Sequence, residues 1–300
     1  MGGKYLVSAL IDGSLSLWDT EKRKVLSRTP KTGICMDDVE AVGENLFVGV
    51  NSSNEVFLWS AENGEIRKLD SDTAFCTYER IPGTAVNSIY YMPDHNGCDL
   101  IVSLHWTNKI GIWKTENGKL KLCAMLTNAV LQENERAKGD WPYCAAEMKE
   151  DAFGRKILLV SSRKGYVNAF SIVNGKNETG VFAKDNYLKG IPSSLYSVVT
   201  FGEYMVLSNA KGELMVYHGK EKILTEKPHE SRIFILKKTD DSHFISYSED
   251  GKIKEIAFSP ENLQVCGEIE FVPGLFVKNC KIKDNEDQNA EIRRLVEMYR

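Results

Sequence analysis

Residues 12–19 read Asp-Gly-Ser-Leu-Ser-Leu-Trp-Asp, and a stretch of this pattern recurs along the chain. Each copy has a turn-forming residue first, then apolar residues at alternate positions, and ends at its sixth position in an aromatic residue or, once, in isoleucine. The six copies are residues 13–18, 54–59, 108–113, 165–170, 212–217 and 251–256. Alternation with a period of two predicts a β-strand with one apolar face, and the leading Gly or Asn suits a tight hairpin turn.

The spacing of the copies predicts repeated four-stranded units. Their sixth positions are 41, 54, 57, 47 and 39 residues apart, which brackets the roughly 40–45 residues of a propeller blade. An apolar run precedes each copy, as at residues 46–48 and 204–207, and a polar turn with a further short strand follows, as at residues 62–67. An earlier strand is predicted at residues 86–91 and 196–199. Each unit therefore contains four strands.

The segment Asp12–Asp19 resembles the WD40 repeat, and the resemblance covers roughly residues 3 to 283. It implies an all-β chain folded as a β-propeller of six or seven four-stranded blades. The later copies depart from the family pattern, because the Asp after the aromatic residue becomes Ser60, Lys114, Ser171 and His218, and no opening Gly-His dipeptide is visible. We therefore expect the Asp–His–Ser/Thr–Trp network of the family to be weakened.

The ends of the chain carry two further predictions. The chain begins at the second strand of a blade, so residues 275–282 are expected to pair beside residues 4–9 and close the ring, which removes exposed sheet edges. We read the polar stretch 132–140 as an inserted loop, with a seventh blade within residues 120–143 as the alternative.

The propeller domain is predicted to span residues 1–284 and to be followed by a tail, residues 285–300. In that tail Ile292, Leu295, Val296 and Tyr299 fall at helical spacing and predict a short helix. The helix packs on the protein's own surface or, alternatively, binds a partner.

Composition favours a cytoplasmic or nuclear protein. The 300 residues carry a net charge of −4, with no apolar stretch long enough to span a bilayer and no secretory signal. The seven cysteines are scattered and form no C-x-x-C pair, so we interpret them as buried, reduced thiols.

The sequence contains no recognisable catalytic motif. The G-x-S-x-G, H-E-x-x-H, P-loop and G-x-G-x-x-G patterns are absent, and the five histidines lie in different units without ligand spacing. We expect a non-enzyme without cofactor or metal. The alternative is a propeller enzyme whose active site lies in the central channel.

The resemblance implies an interaction scaffold that binds partners through the loops at one face of the propeller. Trp106 and Trp141 stand outside the repeated aromatic position, and Trp and Arg are enriched at interface hot spots. The expected partner-binding residues are Tyr78, Arg80, Trp106, Trp141, Arg163, Lys164 and Arg232. Other proteins or peptides are the expected partners, and the basic members suit an acidic or phosphorylated segment. Nucleic acid is a weaker alternative at a net charge of −4, and no membrane partner is expected.

Overall fold

The computed structural model describes residues 5–43, 45–53, 55–72, 86–105, 109–126, 142–149, 152–174 and 179–270. These residues form β-strands, turns and connecting segments, and none of them lies in a helix. Within these ranges no helix is long and apolar enough to cross a bilayer. The predicted tail helix at 285–300 lies outside the described residues, as do the predicted closing strand and the polar stretch 132–140.

The strands build six antiparallel sheets in which chain neighbours pair. The first three sheets belong to one compact unit, residues 1–142 with 172–183. Their strands are β1 (Tyr5–Ala9), β2 (Leu15–Asp19) and β3 (Lys24–Arg28); β4 (Met36–Ala41), β5 (Leu46–Asn51), β6 (Val56–Glu62) and β7 (Glu65–Asp72); and β8 (Val86–Met92), β9 (Leu100–His105), β10 (Ile110–Glu116) and β11 (Lys119–Leu126).

The other three sheets lie mainly in a second compact unit, residues 143–171 with 184–300. Their strands are β12 (Pro142–Lys149), β13 (Lys156–Ser162), β14 (Val167–Asn174) and β15 (Thr179–Leu188); β16 (Leu195–Phe201), β17 (Tyr204–Asn209), β18 (Leu214–His218) and β19 (Glu221–Glu226); and β20 (Ile233–Lys238), β21 (His243–Ser248), β22 (Lys252–Ser259) and β23 (Asn262–Glu270).

The repeat read from the sequence corresponds to the third strand of each four-stranded sheet, namely β6, β10, β14, β18 and β22. In four of these, and in β2, the pairing with the following strand shifts register immediately before the sixth position of the copy. The shift at Ile256 matches those at Trp18, Trp59, Trp113 and Tyr217. The degenerate last copy is therefore structurally equivalent to the aromatic ones.

The first sheet has three strands, and its copy of the repeat lies in the second of them. This confirms that the described chain begins at the second strand of a unit. Among the described strands β1 pairs with β2 only, through the register Tyr5–Asp19 to Ala9–Leu15. Closure of this sheet by residues 275–282 stays a prediction.

Buried aliphatic residues between successive sheets form the core. In the first unit one cluster includes Val48, Leu58, Ile89 and Trp113, all at most 1% exposed. In the second unit Val206, Val216, Phe244 and Ile256 are fully buried in another cluster. Hydrophobic burial of this kind fixes the strand register, because a slip by one residue would turn every apolar side chain outward.

Polar side chains on the first strands also link neighbouring sheets. The Asp38 carboxylate in β4 accepts a 2.8 Å hydrogen bond from the Ile89 amide in β8. At the equivalent position in β16, the Ser197 hydroxyl accepts a 3.0 Å hydrogen bond from the Leu236 amide in β20. A buried acceptor satisfied by the adjacent sheet ties the two first strands together.

The tryptophans of the repeat have different partners in different sheets. Trp18 Nε1 and Trp113 Nε1 each donate a 2.9 Å hydrogen bond to a serine ten residues earlier, Ser8 or Ser103. The second sheet has Gly49 at that position. Trp59 Nε1 is buried there and has no hydrogen-bond partner among the described residues.

The cysteines differ from the expectation of buried thiols. All five in the described ranges are free, but only Cys144 is buried, and Cys266 is exposed. Cys266 lies on the outermost strand of its sheet, β23, within a run of three exposed residues, 264–266.

Candidate functional site

A β-bulge recurs near the start of the first strand of several sheets. The pairing of β4 with β5, β16 with β17 and β20 with β21 skips one residue, which is Asp37, Tyr196 and Phe234 respectively. A bulge re-aims the skipped side chain and is over-represented at binding sites. In β12 the same second position holds Tyr143. The second unit therefore has an aromatic residue at this position in all three of its first strands.

These aromatic side chains contact one another across the sheets of the second unit. The ring centroids of Tyr143 and Tyr196 are 4.7 Å apart, and those of Tyr196 and Phe234 are 6.1 Å apart in an edge-to-face arrangement. Phe234 also stacks with Tyr247 at 5.9 Å. Such pairs are worth about 0.5–1.5 kcal/mol beyond their burial. The rings therefore form a continuous row, with Tyr196 buried and the others partly exposed.

Arg232 lies over this aromatic row. Its guanidinium carbon is 5.1 Å from the ring centroid of Tyr196 and 5.5 Å from that of Phe234, within the range of cation–π attraction. Its Nε is buried, and no residue in the described part of the chain accepts a hydrogen bond from it. The side chain remains 39% exposed. We name Tyr143, Tyr196, Arg232 and Phe234 together the Arg232 surface.

A buried network holds the loop that carries Arg232. His229 Nδ1 is 3.0 Å from Asp250 Oδ2, and His229 Nε2 is 2.8 Å from Ser246 Oγ. Because an ionised carboxylate only accepts, Nδ1–H donates to Asp250 and Nε2 accepts from the Ser246 hydroxyl. Asp250 also accepts from the Glu230 amide at 3.1 Å. The loop 227–232 is thereby fixed to the turn between β21 and β22.

Burial determines the charge state of this network. Desolvation lowers the pKa of His229 below its ordinary 6.5, although the hydrogen bond to Asp250 acts in the opposite direction. Burial by itself would raise the pKa of Asp250, but the hydrogen bonds from the Glu230 amide and His229 outweigh it and lower that pKa. Near neutral pH the network therefore pairs a neutral imidazole with a carboxylate.

The sequence predicted that this network would be weakened because its usual His and Asp were not visible, and in the sixth sheet both are present as His229 and Asp250. Ser246 lies ten residues before Ile256, as Ser8 lies ten residues before Trp18. His229 follows Pro228 rather than a glycine, so a search for the Gly-His dipeptide does not identify it. Three of the four members of the network are present, and Ile256 replaces the tryptophan.

Glycines with positive φ allow the turn between the second and third strands of one sheet to pack closely against the loop that leads to the next sheet. Gly165 and Gly212 have φ angles of 78° and 79°. A Cβ at Gly212 would overlap the backbone oxygen of His229, and a Cβ at Gly165 would overlap that of Ile191. The turn between β13 and β14 therefore packs against the loop leading to Tyr196, so Arg163 and Lys164 lie at the same end of the sheets as Tyr196.

The structure describes three of the seven predicted site residues. Arg163 and Lys164 are exposed in the turn between β13 and β14, and Arg232 precedes β20. The sequence predicted Arg232 in a mixed aromatic and basic surface, but its aromatic neighbours Tyr196 and Phe234 were not predicted. The remaining four, Tyr78, Arg80, Trp106 and Trp141, lie outside the described residues, so their role stays a prediction.

A signal for the missed aromatic residues exists in the sequence. Tyr143, Tyr196 and Phe234 each occupy the second position of a first strand and follow Pro142, Leu195 and Ile233. Alignment of first strands, rather than of third strands, would have identified them. No set of three or more His, Cys, Asp or Glu side chains positioned to hold a metal ion occurs in the ranges that the structure describes.

Comparison with known proteins supports the fold but identifies no family, function or partner. No protein-family model matches the chain, and no curated protein matches it by sequence. Many solved structures match, among them the crystal structure of Saccharomyces cerevisiae Sqt1. That match has a TM-score of 0.64 and 13% sequence identity, and it covers 89% of this chain and 70% of that one. Together with the six antiparallel sheets, it indicates that the chain has a β-propeller fold.

Proposed function

We propose that the chain is a non-catalytic protein-interaction module that docks a protein partner on the Arg232 surface. The observation that carries this proposal is the aromatic residue at the second position of three first strands, bulged at Tyr196 and Phe234, with Arg232 held across these two rings. Burial in the core does not explain the ring of Phe234, which lies at a bulge and stays partly exposed. Arg and aromatic side chains are the residue types most enriched at interface hot spots.

The geometry favours a protein partner over nucleic acid. Nucleic-acid platforms offer free ring faces on which successive bases stack. Here the rings of Tyr143, Tyr196 and Phe234 contact one another, and Arg232 covers two of them. The net charge of −4 also disfavours a phosphate backbone. A peptide segment needs only the exposed ring edges and the guanidinium.

The charges at this end of the second unit favour an acidic segment. Arg163 and Lys164 are exposed in the neighbouring turn, and Arg232 presents a fixed guanidinium. Arginine recognises carboxylates with two parallel hydrogen bonds when its plane is held in place. An acidic protein segment in the cytoplasm or nucleus is the partner that we propose.

The test is affinity capture from native extract with matched arginine variants. Arg232→Ala removes the guanidinium from the Arg232 surface. Arg155→Ala is the control, because Arg155 also lies over an aromatic ring, 5.8 Å from Phe153, in the turn between β12 and β13 at the opposite end of the sheet. We expect proteins retained by wild type and Arg155→Ala to be lost from Arg232→Ala. Equal retention by both variants would refute docking on the Arg232 surface.

A further inference from the structure

A carboxylate of the chain itself lies close to Arg232. Glu249 Oε2 lies 3.9 Å from Arg232 Nε, and the Glu249 side chain is 53% exposed. A charge-assisted hydrogen bond between such groups is about 2.7–2.9 Å long. The two side chains therefore attract each other without forming a hydrogen bond, and Arg232 Nε remains buried and unsatisfied among the described residues.

A backbone hydrogen bond holds Glu249 beside Arg232. The Glu249 amide donates a 2.8 Å hydrogen bond to the Arg232 carbonyl oxygen, so the two residues are fixed side by side. Asp250, the next residue, is held by His229 and by the Glu230 amide. Arg232 is restrained in turn by the rings of Tyr196 and Phe234. Arg232 therefore cannot move toward Glu249 without leaving the rings.

Building on the proposed function, we infer that Arg232 recognises a side-chain carboxylate of the acidic partner segment and that Glu249 is its internal competitor. A partner carboxylate approaches from solvent and is free to take the hydrogen-bonding geometry that Glu249 does not adopt in the structure. When it binds, it displaces a weak, half-exposed ion pair, which costs little. In the free protein Glu249 pairs with the Arg232 guanidinium, and this pairing lowers the affinity of Arg232 for the partner carboxylate.

The surrounding charge favours a carboxylate over a phosphate group. Glu230 and Glu249 are exposed beside Arg232, and Asp250 is ionised below them. A phosphate group carries nearly two negative charges, so these acids repel it more strongly than they repel a carboxylate. Arg163 and Lys164 in the neighbouring turn suit further acidic residues of the same segment.

The competitor role predicts that removal of the Glu249 charge strengthens binding. The probe is a fluorescent, acetylated and amidated peptide of alternating leucine and glutamate, with fluorescence anisotropy as the readout. We expect Glu249→Gln to tighten binding by about threefold and Arg232→Lys to weaken it by about tenfold, since lysine lacks the planar fork. Glu249 is exposed and Arg232→Lys keeps the charge, so we expect both variants to fold, which near-ultraviolet circular dichroism checks.

Control peptides identify the group that is recognised. We expect no binding of a peptide with glutamine for glutamate, and weaker binding of one with phosphoserine for glutamate. A leucine–glutamine peptide with a free carboxyl terminus tests whether a terminal carboxylate suffices, and we expect it not to bind.

Four results would overturn the inference. They are unchanged or weaker binding by Glu249→Gln, equal binding of the glutamine peptide, tighter binding of the phosphoserine peptide, or no binding of the glutamate peptide to wild type. None of these would by itself refute docking of proteins on the Arg232 surface. That proposal fails if Arg232→Ala and Arg155→Ala retain the same proteins from extract.

Discussion

Replacement of His229 by alanine removes the two hydrogen bonds that its imidazole makes to the last sheet. The imidazole is 1% exposed, and its nitrogens lie 3.0 Å from Asp250 Oδ2 and 2.8 Å from Ser246 Oγ. A hydrogen bond to a carboxylate contributes about 1.5–3 kcal/mol, and a neutral one about 1 kcal/mol. We expect His229→Ala to lower the free energy of unfolding by about 3 kcal/mol, a large part of the 5–15 kcal/mol typical of a domain.

The same network makes stability depend on pH. The folded-state pKa of His229 is lowered from 6.5, so the unfolded state binds the proton more tightly. The contribution is fully present above about pH 6.5 and is lost as the pH falls through the folded-state pKa. Wild type should therefore lose stability between pH 7.5 and 5.5, and His229→Ala should lose less.

Urea-induced unfolding measured by circular dichroism at the two pH values tests both expectations. His243→Ala is the matched control, since His243 Nδ1 also lies 3.0 Å from a carboxylate, that of Asp240, but its side chain is 33% exposed. An ion pair with that exposure is worth at most about 1 kcal/mol. If His229→Ala costs no more than His243→Ala, or if both variants show the pH dependence of wild type, the buried network does not hold the loop.

Three further substitutions test the packing between and within sheets. Gly49→Ser offers Trp59 Nε1 the acceptor that Ser8 and Ser103 provide elsewhere, so it should be about 1 kcal/mol more stable than Gly49→Ala by urea titration. Equal stability of the two variants would show that the indole gains no bond. Gly212→Ala should cost about 3 kcal/mol, because a Cβ meets the His229 backbone, whereas Gly202→Ala, with a φ of 62° and open space, should cost about 1–2 kcal/mol. Similar losses of unfolding free energy in Gly212→Ala and Gly202→Ala would mean that the turn at Gly212 does not pack closely against the His229 backbone. Asp38→Ala leaves the buried Ile89 amide without its 2.8 Å acceptor and should lower the unfolding free energy by about 2–3 kcal/mol, and an unchanged midpoint would contradict this link between the first strands.

The sequence predicted the strands of the repeat because the first copies have apolar residues at alternate positions, as at Leu15 and Leu17 or Val56 and Leu58. A continuous apolar run precedes each of them. The signal is weakest in the last copy, where Glu255 replaces the second apolar residue and Ile256 replaces the aromatic one. Regular structure was therefore predictable from short-range periodicity.

The candidate site was only partly predictable, because it depends on irregular structure. A bulge breaks the alternation at Tyr196 and Phe234, so periodicity assigns their side chains to the wrong face. The two rings also come from strands that lie 38 residues apart, and only the packing of β16 against β20 brings them together. Arg232 was identified from residue type alone, and its partners required coordinates.

The central claim is that a protein partner docks on the Arg232 surface, and site-specific photo-crosslinking tests it most directly. A benzophenone amino acid is incorporated in place of Phe234 and, as the control, in place of Phe153, which is 86% exposed in the turn between β12 and β13. Irradiation in native extract should give a covalent adduct of defined mass from position 234, and none from position 153. No adduct at 234, or the same adducts at both positions, would contradict the account.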